Sequence, residues 1–157
     1  MGYKRDEVGY RPYRICQDNG ALIVNGHEHS YARTRTLLDI GNRKGSHGVA
    51  GAPDELLLGP GSTAVVVSGL GGTGIRGYSS LFHADDSWWA AFVTSDRVMR
   101  SGKDERRVLT RGYSGALILD LGLANRANEG RGYFVLAETR QVLDRFTLRS
   151  VAPSSAR

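Results

Sequence analysis

The chain has 157 residues, 40% of them hydrophobic and 24% charged, which suits one ordinary soluble domain with a core of its own. Its single cysteine, Cys16, excludes an intrachain disulfide and any zinc centre built from several thiolates. Lys and Arg (21) exceed Asp and Glu (16), but the basic residues are scattered and the stretch RSGKDERR also carries acids, so a solvated basic surface is expected and specific nucleic-acid binding is not.

No apolar h-region follows Met1, so no signal peptide is expected, and no apolar run approaches the ~20 residues that cross a bilayer. The chain therefore reads as soluble and without a membrane partner; its compartment stays open. Glycine, at 21 residues, points to many turns and short strands.

In chain order, residues 10–19 (YRPYRICQDN) predict a short helix that tolerates Pro12 near its first turn and stops at Gly20. The apolar run 21–25 (ALIVN) predicts a buried strand, and a second strand is expected over 34–40. Residues 41–62, rich in Gly, Pro and Ser, read as an exposed excursion. Residues 64–68 (AVVVS) are the clearest buried strand. The block 88–93 is apolar without a deciding period, 95–111 reads as a polar basic loop, and 115–121 as a strand followed by a turn-rich link over 124–130. A hairpin closes the chain, 133–138 joined through 139–141 to 142–148, with Val142, Phe146 and Leu148 on one face and Arg145, Thr147 and Arg149 on the other. Residues 1–150 form one domain in this reading, and 151–157 a frayed tail.

Two motifs match chemistry only superficially. GLGGTG at 69–74 follows a strand and fits G-x-G-x-x-G, but IRGYSS after it does not open a helix, so a glycine turn is expected, with Arg76 as an anion contact. His83, Asp85 and Asp86 (HADD) read as a polar loop before Trp88 and Trp89, not as a metal cluster. His47 reads as solvated, and Ser62 and Ser114 have no histidine placed to activate them.

The chemistry lies instead at His27 and His29, in VNGHEHSYART directly after the first strand. Residues i and i+2 of an extended segment project to one side, and neutral imidazole is a common ligand for zinc, iron and manganese. Gly26 permits the bend at the strand end.

GALIVNGHEHSYART closely resembles the last metal-binding motif of the calcineurin-like metallophosphoesterases, and most closely the purple-acid-phosphatase-like branch with its Gly-His-x-His-x-Tyr-x-Arg pattern. The likeness extends through YRPYRICQDNG, VVVSGLGGTGIR and RGYFVLAETRQVLDRFTL. It implies an α/β, strand-dominated fold, the C-terminal half of a layered β-sandwich flanked by helices. It also implies a dinuclear centre of Fe, Zn or Mn whose bridging hydroxide attacks a phosphate ester. Carried onto this chain, His27 and His29 are ligands, one to each metal, and Arg33 or Tyr31 steadies the phosphate or braces the loop.

The family's Asp-x-His, Gly-Asp and Gly-Asn-His motifs do not occur in the sequence. The expectation is thus the C-terminal segment of a phosphoesterase, binding metal weakly and inactive alone, with a complementing N-terminal half as partner and a phosphate ester as substrate. The competing reading is a non-catalytic, basic β-rich module that binds an anionic partner.

Overall fold

The computed structural model describes residues 8–40, 48–72, 74–83, 86–100, 103–106, 114–123 and 125–151. In chain order the elements are α1 (Tyr10–Asp18), β1 (Leu22–Asn25), β2 (Tyr31–Thr34), β3 (Thr36–Leu37), β4 (Val49–Ala50), β5 (Glu55–Leu58) and β6 (Ala64–Ser68). There follow α2 (Ser80–His83), β7 (Trp89–Val93), β8 (Arg97–Arg100), β9 (Lys103–Arg106), β10 (Gly115–Leu123), β11 (Arg126–Leu136) and β12 (Val142–Ser150).

The valine-rich β6 lies inside the larger sheet, whose order is β1-β6-β2-β7-β8-β9. β1 runs parallel to β6, Leu22 beside Ala64 through Asn25 beside Val67. Every other neighbour in that sheet is antiparallel. The smaller sheet has the order β10-β11-β12-β5, with β5 joining β12 in parallel. The protein is thus strand-dominated, with mixed sheets.

The two sheets face each other across a shared core. Tyr31, Val66, Leu70, Ala91, Val93 and Val98 from the larger sheet side cluster with Phe134, Leu136 and Leu143 from the smaller. Tyr31 and Phe134 stack across this contact with ring centroids 4.1 Å apart. Leu56, Leu58, Ala64, Phe146 and Leu148 extend the core to one side. The opposite face of the larger sheet is covered in part by Tyr78, which packs with Ala32, Phe92, Trp89 and Met99. Helix α1 buries none of its side chains. It is pinned by Gln17, whose amide donates to the Leu38 and Gly61 carbonyls and accepts from the Ile40 N–H.

The helix, β6 and the closing hairpin agree with the sequence reading, and β1 is a strand where one was expected; it is not buried, however, because it lies at the edge of its sheet, with Val24 half exposed. Four other stretches differ. The second strand begins at Tyr31 and not at residue 34, because pairing on both edges, to β6 and β7, draws the chain into the sheet at once. The excursion 41–62 contains β5, whose Leu56 and Leu58 are buried against β12; residues 41–47 lie outside the described ones. The polar stretch 95–111 contains β8 and β9, an antiparallel pair at the sheet edge in which Val98 is buried; residues 101–102 and 107–111 lie outside the described ones. Charged residues on an edge strand hide the alternation that marks a half-buried one. Finally, β11 starts at Arg126 inside the expected link, after Asn125, which takes the left-handed φ of 71° that asparagine tolerates. Of the expected tail, residues 152–157 lie outside the described ones.

Candidate functional site

Because β1 and β6 are parallel, the loops that leave their C-terminal ends, 26–30 and the described residues 69–72 and 74–76, emerge from the same edge of the sheet. Such edges are common ligand sites in parallel pairs. Backbone hydrogen bonds join the loops: Gly69 N–H donates to Ser30 O at 2.9 Å and Arg76 N–H to His29 O at 3.0 Å, while Ser30 N–H closes a tight turn onto Glu28 O at 2.8 Å.

The fit is close enough to specify glycine. A Cβ on Gly69 would stand 1.8 Å from Glu28 O and 2.7 Å from Gly26 O, both rigid backbone atoms. Of the glycines of GLGGTG, Gly69 thus serves loop packing, whereas a Cβ on Gly71, Gly72 or Gly74 would meet nothing within 4 Å. No helix opens after them, since α2 begins only at Ser80.

His27 is exposed and His29 half-buried. The Nδ1 atom of His29 lies 3.1 Å from Gly74 O. A carbonyl only accepts, so Nδ1 carries the proton, and in the neutral ring Nε2 is left with its lone pair free. Between the histidines, Glu28 accepts from Arg76 Nη1 at 3.0 Å, with side-chain exposures of 14% and 30%. Its other oxygen, Oε1, is buried and has no hydrogen-bond partner among the described residues. Arg76 thus spends one of its N–H groups on a carboxylate, although part of its guanidinium still reaches solvent. Glu28 was not singled out in the sequence; its position between two candidate ligands is the only signal for it there.

Tyr31 and Arg33 do not face this edge. Both side chains are fully buried. Arg33 donates to Asp144 through Nε–Oδ2 (2.7 Å) and Nη2–Oδ1 (2.9 Å), and Nη1 donates to Pro53 O at 2.8 Å. The Tyr31 hydroxyl donates to Asp144 Oδ2 at 2.6 Å. The Phe146 ring covers the guanidinium at 4.5 Å. Neither group is placed for the phosphate contact expected of this pair, since dissolved phosphate has no access to either; both side chains instead tie β2 to β12 across the two sheets. Burial, then the Asp144 carboxylate, pushes the Tyr31 phenol well above its ordinary range, with Arg33 opposing. Burial by itself lowers the Arg33 guanidinium, but Asp144 outweighs it and holds Arg33 above its usual value.

His83 Nδ1–H donates to Asp86 Oδ2 at 2.6 Å, and Trp89 Nε1–H donates to the same oxygen at 3.1 Å. Asp86 there ties the end of α2 to β7; Asp85 lies outside the described residues, as does His47. Among the described residues, no group of three or more His, Cys, Asp and Glu side chains is placed to hold a metal ion. Nor, among them, is any helix long and apolar enough to cross a membrane.

The chain matches no protein-family model, no curated protein and no solved structure.

Proposed function

We propose that this chain is the C-terminal segment of a dinuclear-metal phosphoesterase, its two facing sheets corresponding to half of that family's layered β-sandwich. The observation that carries the reading is His29: its Nδ1 lies 3.1 Å from the Gly74 carbonyl, which in the neutral ring puts the proton on Nδ1 and leaves the lone pair on Nε2. Metal-bound histidines are characteristically held in this way by a carbonyl or carboxylate on the other ring nitrogen. The orphaned Glu28 Oε1 beside it adds a buried acceptor that a cation nearby would satisfy.

The donor set suits zinc, iron or manganese in kind but not in number. His27 and His29 would each contribute one imidazole to one ion, and a site of two ions needs several further oxygen or nitrogen donors. Those donors come from a complementing segment, the proposed N-terminal half. When bound, a metal pair supplies an acidified water and a clamp for the oxygens of a phosphate ester. The residues of this chain hold the loop in register, fix the His29 tautomer and keep Arg76 at the rim, where its solvent-facing part can meet the ester's charge. Alone, the chain binds metal weakly and turns over no ester.

Zinc and manganese titrations of the isotope-labelled chain test this. Zinc should perturb the His27 and His29 ring signals before any other histidine, the double variant His27→Ala with His29→Ala should abolish the response, and p-nitrophenyl phosphate should survive incubation with either form. Brisk hydrolysis by the chain alone would overturn its incompleteness. Zinc that perturbs neither ring would overturn the metal site.

A further inference from the structure

The outer face of the smaller sheet carries a depression that serves neither the histidine loop nor the core. Register places Arg131 opposite Thr147 and Tyr133 opposite Arg145. Alternation turns all four side chains outward, at the corners of a rectangle floored by the backbone of Gly132 and Phe146. Asp54, whose carbonyl accepts the Thr147 N–H at 2.9 Å, closes the side next to β5. The space enclosed is about 230 Å³.

Its guanidinium donors are only partly engaged. The Arg145 guanidinium stands 5.9 Å from the Tyr133 ring centroid, and among the described residues no carboxylate pairs with it. Arg131 gives only Nε to Asp120, at 2.8 Å, and keeps its two terminal NH2 groups. Arg149 continues the strip along β12, again without an ion pair among the described residues. Guanidinium forks match the oxygens of a phosphate in pairs, and two forks flanking one depression converge on a single tetrahedral anion. Asp54 lines the remaining side; an acid there repels a second anionic group and can accept from a hydroxyl, as the Thr147 hydroxyl also can. The lining therefore favours an ester of phosphate with a hydroxyl-bearing alcohol over a free dianion of the same charge.

We propose that this depression binds a small phosphomonoester, with its phosphate between Arg131 and Arg145 and its hydroxyl-bearing part towards Asp54 and Thr147. The site is separate from the histidine loop, which lies at the edge of the other sheet, and does not depend on any metal there.

The test is a titration of the isotope-labelled chain with glycerol phosphate, inorganic phosphate and sodium chloride, read at the backbone amides. Saturable shifts at Tyr133, Thr147 and their neighbours, tighter for the ester than for phosphate, are expected. Arg145→Gln should weaken binding about tenfold, Arg145→Lys should retain part of it, and His27→Ala with His29→Ala should leave it unchanged. Both arginine variants alter an exposed side chain, and unchanged spectra away from the site verify their fold. Shifts that chloride reproduces, or equal binding by Arg145→Gln, would overturn the site. So would affinity for a single-stranded oligonucleotide that grows with its length while the small ester fails to bind, which marks a polyanion surface instead.

Discussion

Arg33 and Asp144 meet in a two-pronged ion pair, 2.7 and 2.9 Å, that joins the larger sheet to the smaller with both side chains almost wholly out of solvent. Removing either partner strands the other as an uncompensated buried charge, whereas removing both does not. Asp144→Leu should therefore cost about 3–5 kcal/mol. Arg33→Met combined with Asp144→Leu should cost clearly less than the sum of the two single changes. Urea denaturation of the four proteins decides it; additive losses would show that the pair is not coupled.

Tyr31 makes the same cluster sensitive to alkali. Its folded-state value lies above the ordinary 10.0 of the unfolded chain, so the neutral phenol is favoured on folding. That contribution is intact below about pH 10 and declines as pH rises past it, where the unfolded chain ionises first. Tyr31→Phe should lose about 1 kcal/mol at neutral pH with the hydrogen bond to Asp144. Its stability should then fall less steeply than the wild type above pH 10. Parallel slopes in that range would refute the assignment.

Gly69→Ala probes the weld between the two loops. A methyl group 1.8 Å from the Glu28 carbonyl cannot be accommodated by a side-chain swing, so the loops must separate. A loss of about 1–3 kcal/mol is expected, with faster hydrogen exchange at Gly69 and Arg76, whose amides bond across the seam. Unchanged exchange at both would show that the contact is dispensable.

Gly132 faces Phe146 across the hairpin, and a Cβ there would lie 2.1 Å from the ring. The ring must tilt, and with it the cover over Arg33. Gly132→Ala should destabilise by about 1–3 kcal/mol, and Phe146→Leu introduced beside it should recover part of the loss. A double variant no better than Gly132→Ala with an ordinary additive penalty would place the strain elsewhere.

Much of this was legible in the residues themselves. The run AVVVS and the alternation of the last strand depend on local pattern, and both appear as read. The same alternation puts Asp144 on the face of Val142, Phe146 and Leu148, the one signal that a charge was bound for the core; its partner, 111 residues earlier, has no local trace. β5 was hidden for a similar reason: ELLL reads as a strand only once β12 lies beside it. The proximity of the histidine loop to the second glycine loop is a consequence of β1 and β6 running the same way, which neither segment encodes alone.

The parallel seating of Glu55–Leu58 against Thr147–Ser150 has a consequence for biosynthesis. A strand made in the first half of translation has no sheet to join until some ninety residues more have left the ribosome, leaving Leu56 and Leu58 uncovered in the interim. Loop closure over that span must precede any reward from pairing, so the smaller sheet should be the last part of the molecule to acquire protection, and the nascent chain the stage at which it is most open to chaperone capture.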